Sequence, residues 1–226
     1  DRKFVRRADL FTQYTIAASH MAVEDARIGS EGAVDPERLG VVYGSGIGGI
    51  QTFETQHTAL MNGGPRKINP FFIPMMIADM TSGQASIRFG AKGPNYTTVT
   101  ACASGTHAIG NAAREIWDDE ADVMITGGAE AAVTPMSLGG FASLHALSTR
   151  NDEPERASRP FDSERDGFVL GEGAGTLILE ELTHAKKRGA TIYAEIGGAG
   201  YTADAYHITD MAPGGEGGAR ALRRAL

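Results

Sequence analysis

Apolar side chains recur at three- and four-residue intervals between Arg7 and Ile28, where Leu10, Phe11, Tyr14, Ala18, Met21, Ala22 and Val23 are separated by polar positions. Residues three and four apart share one side of a helix, so this spacing predicts an amphipathic helix. Leu39 to Tyr43 is different: it is apolar and β-branched without alternation and stops at Gly44, the pattern of a strand buried on both faces. A second helix is expected from Gln51 to Met61, ended by the breaker cluster Asn62-Gly63-Gly64-Pro65. Two prolines bracket the aromatics of Asn69 to Pro74, which predicts an extended, packed loop. Helical spacing returns from Met75 to Phe89.

A strand is expected over Tyr96 to Ala101, followed by a small-residue turn at Cys102 to Gly105 and a helix from Ser104 to Trp117. Ala121 to Thr126 reads as another buried strand, closing on Gly127-Gly128. Gly173 to Glu181 and Thr191 to Tyr201 read as two more, with a charged helix from Glu181 to Arg188 between them. Gly215 to Leu226 is helix-like. Strands alternating with helices place the chain in the α/β class, with a largely parallel or mixed sheet. A boundary is expected near Lys187-Arg188-Gly189, where one helix ends and a new strand-helix series begins.

Composition narrows the function. The 226 residues carry 28 Asp plus Glu against 21 Lys plus Arg, a net charge of −7. That balance gives no support to nucleic-acid binding, which needs a basic face. Apolar residues at 42% and charged residues at 22% are those of an ordinary globular chain. No apolar run has the ~18 residues of a membrane span and no secretory signal opens the chain, so a cytoplasmic protein is expected. Asp1 is not a methionine and the last helical pattern stops without a capping glycine, which suggests part of something longer. Glycine stands out at 30 residues, far above the usual ~7%, and points to tight turns and close backbone approach.

The lone cysteine excludes an internal disulfide and any multi-cysteine metal site. Cys102 falls where a strand meets a helix, among Ala103, Ser104 and Gly105. Small neighbours permit the sharp turn that exposes a nucleophile at the top of a sheet. A helix N-terminus adds unpaired amides that favour negative charge on sulfur and can serve an oxyanion. The residues alone leave two readings open, a nucleophile or a small buried hydrophobe.

Gly44-Ser-Gly46-Ile-Gly48-Gly49 follows a strand and fits the glycine pattern of dinucleotide sites. It lies well inside the chain, and no acidic residue closes a second strand about 20 residues later. A close-packed glycine turn lining a pocket is the better reading. The six histidines, His20, His57, His107, His145, His184 and His207, show no metal-ligand spacing. Lys3, Arg6 and Arg7 fall at i, i+3 and i+4, hence on one helical face, and Arg66-Lys67 forms a second basic spot. In an acidic chain such spots are either a solvated face or a guide for an acidic partner.

Thr100-Ala-Cys102-Ala-Ser-Gly105, Leu60-Met-Asn-Gly-Gly-Pro-Arg-Lys67, Pro70-Phe-Phe-Ile-Pro74, Ala146-Leu-Ser-Thr-Arg-Asn151, Ser158-Arg-Pro-Phe-Asp162 and Arg165-Asp-Gly-Phe-Val-Leu-Gly-Glu-Gly-Ala174 together resemble the β-ketoacyl-acyl-carrier-protein synthases. The resemblance runs the whole length but covers only the middle of such a protein. It implies a thiolase-like five-layer αβαβα fold, here residues 1–188 of an N-terminal half lacking its first strand and residues 189–226 opening a C-terminal half.

The resemblance also implies the chemistry. Cys102 would accept an acyl chain from acyl carrier protein, and decarboxylation of malonyl-carrier protein would supply the carbanion of a Claisen condensation in fatty-acid elongation. Ile47 and Phe141 match positions lining the acyl pocket, and Phe72 one that reaches across a homodimer. Lys3, Arg6, Arg7, Arg66, Lys67 and Thr209 match positions that dock the carrier protein, while His145 stands where the family often has arginine. No cofactor or metal is implied. The family's His-Gly-Thr and Gly-His segments do not occur here. A polyketide ketosynthase is the nearest alternative, and a non-catalytic chain-length subunit a second, against which Cys102 argues.

Overall fold

Four strands form one mixed sheet in the computed structural model, which describes residues 2–29 and 32–226. Strands β1 (Leu39–Gly44), β2 (Asn95–Thr98) and β3 (Val123–Ala131) are parallel, and β4 (Glu172–Glu180) runs antiparallel to β3, in the order β2-β1-β3-β4. The helices are α1 (Arg2–Val5), α2 (Leu10–Ala26), α3 (Ile50–Gly63), α4 (Phe72–Met76), α5 (Met80–Phe89), α6 (Ser104–Trp117), α7 (Pro135–Ser143), α8 (Leu182–Lys187) and α9 (Glu216–Ala225).

Every residue of β1 is buried, which explains its unbroken apolar sequence. Its side chains still divide by the two-residue period. Val41 and Tyr43 join Val123 and Ile125 under α2 and α5, whereas Val42 and Met124 pack with Ala108 and Ala112 of α6 on the opposite face. Full burial of one such aliphatic side chain contributes about 1.5–3 kcal/mol, so both faces hold the sheet in place. The Tyr43 hydroxyl sits in this core satisfied, 2.6 Å from Ser19 Oγ and 2.6 Å from Thr176 Oγ1.

α6 lies unusually close to the sheet. A Cβ on Gly44 would come 2.2 Å from the Ser104 carbonyl carbon, and one on Gly128 would come 3.1 Å from the Gly105 Cα. Glycine at the ends of β1 and β3 therefore lets the first turn of α6 rest directly on the strands. This contact sets the height of the turn that carries Cys102.

Three expected elements differ. The Asn69–Pro74 loop contains the start of α4, because Pro74 falls in the first helical turn, where a missing N–H leaves no bond unmade. The helical spacing from Met75 to Phe89 is divided between α4 and α5, with Ile77 extended at the break. Thr191 to Tyr201 is not a strand. Its neighbours are helices: Ala199 and Tyr201 face Gly110 of α6, and Gly198 and Gly200 lie against the Ala225 and Ala221 carbonyls of α9. A helix surface offers no backbone ladder, so strand propensity there has nothing to pair with. The first basic group is also divided: α1 ends at Val5, so Lys3 is helical while Arg6 and Arg7 lie in the following turn.

Candidate active site

The turns after β1 and β2 and the far end of β3 meet at the carboxyl edge of the parallel strands. β2 and β3 flank β1, with α5 and α6 on opposite faces, and such reversals of strand order open a crevice at the carboxyl ends. Cys102 stands there, exposed, with no hydrogen-bonding partner for its side chain among the described residues.

The turn beneath it is strained and stitched. Ala101 has φ 50°, a left-handed conformation that disfavours a residue with Cβ and marks a sharply bent backbone. Ser104, 3% exposed, holds that bend: its hydroxyl accepts the Thr100 N–H at 2.8 Å and donates to the Ala101 carbonyl at 2.6 Å. Thr98 Oγ1 donates to the Ser104 carbonyl at 2.8 Å, tying the end of β2 to the start of α6. Cys102 thus sits on a strand-to-helix elbow with the N-terminus of a fourteen-residue helix two residues on.

Ile47 lies in the neighbouring turn, 43% exposed. The glycine pattern around it is filled by the protein's own anion. Gly46 N–H and Ile47 N–H donate to Glu130 Oε2 at 2.7 and 2.9 Å, and Gly48 N–H and the Ser45 hydroxyl donate to Oε1 at 3.2 Å each. Backbone amides that could cradle a phosphate already hold a carboxylate. Glu130 escaped the reading of the sequence, although a lone acidic residue inside Ala129-Glu-Ala-Ala132, at the end of an apolar strand, was a signal for it.

Phe141, on α7, is half-buried and meets Phe168 edge-on, with ring centroids 5.0 Å apart and planes at 82°. Phe168 is brought there by a second clamp. Asp166 accepts from Ser148 Oγ at 2.7 Å and Thr149 N–H at 2.9 Å, and Arg159 lies 3.1 Å away. The Ser148 and Thr149 hydrogen bonds, with Arg159 beside them, hold the Asp166 carboxyl far below the usual carboxylate range. Phe72 belongs to a different group, its ring 6.5 Å from Phe53, which in turn stacks on His57.

The basic residues are exposed, and Arg7 stacks on the Phe71 ring at 4.5 Å. That contact ties the chain around Lys3 and Arg6 to the segment carrying Arg66 and Lys67. The Thr209 N–H donates to His207 Nδ1 at 3.2 Å. His145 has φ 54° and donates its N–H to the Ala142 carbonyl, closing the end of α7. His107, one turn past Cys102, packs edge-on against Tyr201 at 4.8 Å. Among the described residues no cluster of His, Cys, Asp and Glu could hold a metal, and no helix is long and apolar enough to cross a membrane.

Residues 1–185 match the family Beta-ketoacyl synthase, N-terminal domain. The whole chain aligns at 56% identity with 3-oxoacyl-[acyl-carrier-protein] synthase 2 of Staphylococcus aureus, covering 56% of that protein. It aligns at 52% with the synthase of the same name in Vibrio cholerae serotype O1, covering 54%. The chain spans about half the length of these curated relatives. Among solved structures, a β-ketoacyl synthase from Burkholderia phymatum STM815 superposes with TM-score 0.90 and 39% identity over 100% of this chain and 55% of that one. A ketosynthase solved in complex with its type II polyketide acyl-carrier protein gives 0.87 and 34%, over 95% of this chain and 55% of that one. The fold is therefore the α/β thiolase-like one, and the chain belongs to the β-ketoacyl synthase family.

Proposed function

We propose that this chain is the nucleophile-bearing part of a 3-oxoacyl-acyl-carrier-protein synthase that elongates fatty acids. The observation that carries the reading is Cys102, exposed on its strained elbow at the head of α6. Cys102 Sγ attacks the thioester carbonyl of acyl-carrier protein, the carrier thiol leaves, and the acyl group remains on the enzyme as a new thioester. Malonyl-carrier protein then loses carbon dioxide. The resulting carbanion attacks the Cys102 thioester and expels the thiolate, giving β-ketoacyl-carrier protein two carbons longer.

In this reading the Cys102 amide serves the oxyanion of both tetrahedral intermediates, a role in which one donor is typically worth about 10²–10³ in rate. Ile47 and Phe141 line the acyl channel and Phe72 closes the channel of a partner in a homodimer. Lys3, Arg6, Arg7, Arg66 and Lys67 form the surface that receives an acidic carrier protein, and their gathering around the Arg7–Phe71 contact supports this. Thr209 is assigned to the same surface by the family resemblance, and His145 stands where the family often has an arginine. The division at 188/189 into an N-terminal half and the opening of a second half is supported by the family match ending at residue 185. A cytoplasmic location accords with the absence of a membrane-spanning helix among the described residues. The 52–56% identities favour fatty-acid elongation over polyketide synthesis.

The test is intact-protein mass spectrometry on the full-length enzyme with acyl-carrier protein. A single acyl adduct on the wild type, absent from Cys102→Ala, is expected. Acyl uptake by the alanine variant would overturn the assignment.

A further inference from the structure

The geometry points to Glu130 as a positioning residue for acyl-chain selection, acting through the turn that carries Ile47. This rests on the condensing function proposed above. Glu130 stands at the end of β3, one strand away from that turn, yet its carboxylate gathers four donors from consecutive residues: Ser45 Oγ, Gly46 N–H, Ile47 N–H and Gly48 N–H, at 2.7–3.2 Å. Among the described residues no cation pairs with it. The negative charge is thus answered by the turn itself.

Two consequences follow from chemistry. Hydrogen bonds to an ionised carboxylate are about twice as strong as neutral ones, so four of them hold a glycine turn that would otherwise have wide conformational freedom. The turn also touches the nucleophile's loop: a Cβ on Gly46 would stand 2.9 Å from Glu130 Oε2 and 3.2 Å from the Ala101 carbonyl oxygen. Ile47 is 43% exposed, so the anchored backbone decides where its side chain stands relative to Cys102. A pocket whose wall is held discriminates between chain lengths, and one whose wall moves does not.

The uncharged isostere is informative because it changes the donor count while keeping the shape. In Glu130→Gln one oxygen becomes an amide N–H₂, which faces N–H donors and repels them. In Glu130→Ala the donors are left around an empty space of carboxylate size, which acetate or formate can enter.

Full-length wild type, Glu130→Gln, Glu130→Ala and Ser45→Ala are compared by the ratio of kcat/KM for two acyl-carrier proteins differing in chain length, and by amide hydrogen exchange at residues 46–48. We expect Glu130→Gln to flatten the ratio by about tenfold, within the range that one misfitted methylene produces. It should also speed exchange at residues 46–48, while Cys102 still takes up an acyl group. Glu130→Ala should behave likewise and recover selectivity in acetate buffer but not in chloride of equal ionic strength. Ser45→Ala, which removes one donor of four, should shift both readouts partway, and it decides the matter if the Glu130 variants do not fold. Unchanged ratios and unchanged exchange in the variants that fold would overturn the inference. A wild type with no acyl adduct and no condensation would instead sink the functional reading, leaving the exchange data to report on the clamp alone.

Discussion

Asp9 caps the helix of Thr52 from across the fold. Its carboxylate accepts the Thr52 N–H at 2.9 Å and the Thr52 hydroxyl at 2.5 Å, while its other oxygen receives the Phe11 N–H at the start of α2. One carboxylate, 3% exposed, thereby serves the N-termini of α2 and α3 and fixes their mutual position.

Asp9→Ala should therefore destabilise the full-length protein by about 2–4 kcal/mol, combining the loss of a cap with buried donors left unpaired. Asp9→Asn, which keeps one acceptor, should lose less. Urea denaturation checks both, and an alanine variant within 0.5 kcal/mol of wild type, roughly the scatter of neutral surface changes, would remove Asp9 from this role.

Gly44→Ala places a methyl where the Ser104 backbone already is. Backbone cannot move as a flexible side chain can, so α6 must lift, and a loss of more than about 3 kcal/mol is expected. Because the lift also carries Cys102, acyl transfer should fall in whatever fraction remains folded. Denaturation and a single-turnover acylation assay on the same sample read the two effects, and normal values for both would contradict the close approach.

Ser104→Ala tests the elbow more gently. It leaves the Thr100 N–H without its acceptor and removes one of two donors to the Ala101 carbonyl, which keeps the Ser104 N–H, a loss of about 1–3 kcal/mol for the one unpaired group. The alanine fits the space, so the protein should fold with Cys102 slightly displaced. Acyl transfer should drop about 10–100-fold, the scale expected when a reacting atom is misplaced by up to 1 Å. Threonine at this position, which keeps the hydroxyl, should recover part of the rate.

Acid stability has a named source in Glu180. Burial by itself pushes its carboxyl up, but hydrogen bonds from Arg188 Nε at 2.6 Å and a 2.5 Å contact with His184 Nδ1 outweigh burial and hold it below the ordinary value. The unfolded chain, titrating near the usual ~4.3, then takes up its proton first as the pH falls. The contribution is complete above about pH 5 and is lost as the pH passes down through the folded-state value. Arg188 also donates to the Ala26 carbonyl at 2.8 Å, so this group joins the end of α2 to α8 and β4. Melting temperatures from pH 7 to pH 3 should show wild type falling toward Glu180→Gln in acid; parallel curves would assign the acid loss to other carboxylates.

Strands β1 to β4 and helices α2, α3, α6 and α8 were legible from the pattern of apolar residues, whereas α7 was not expected and the break between α4 and α5 was not seen, because small residues and prolines there carry no clear period. Cys102 was legible too, as the one thiol at a strand-to-helix turn among small residues, and so was the glycine turn with Ile47. Local chain chemistry determines such features, and a one-dimensional pattern holds enough to read them. The tertiary structure alone decided the rest. Thr191 to Tyr201 has the composition of a strand, but pairing needs a neighbouring ladder and its neighbours are α6 and α9. Glu130 and the turn at residues 45–48 are more than eighty residues apart in sequence, and Asp166 reaches Ser148 only because the chain folds back on itself. Hydrogen bonds between distant residues leave no period in the sequence, since the geometry that joins them arises only when the sheet and α6 have packed. That packing brings a lone cysteine's turn, a glycine pattern and an isolated glutamate together at one edge of the sheet.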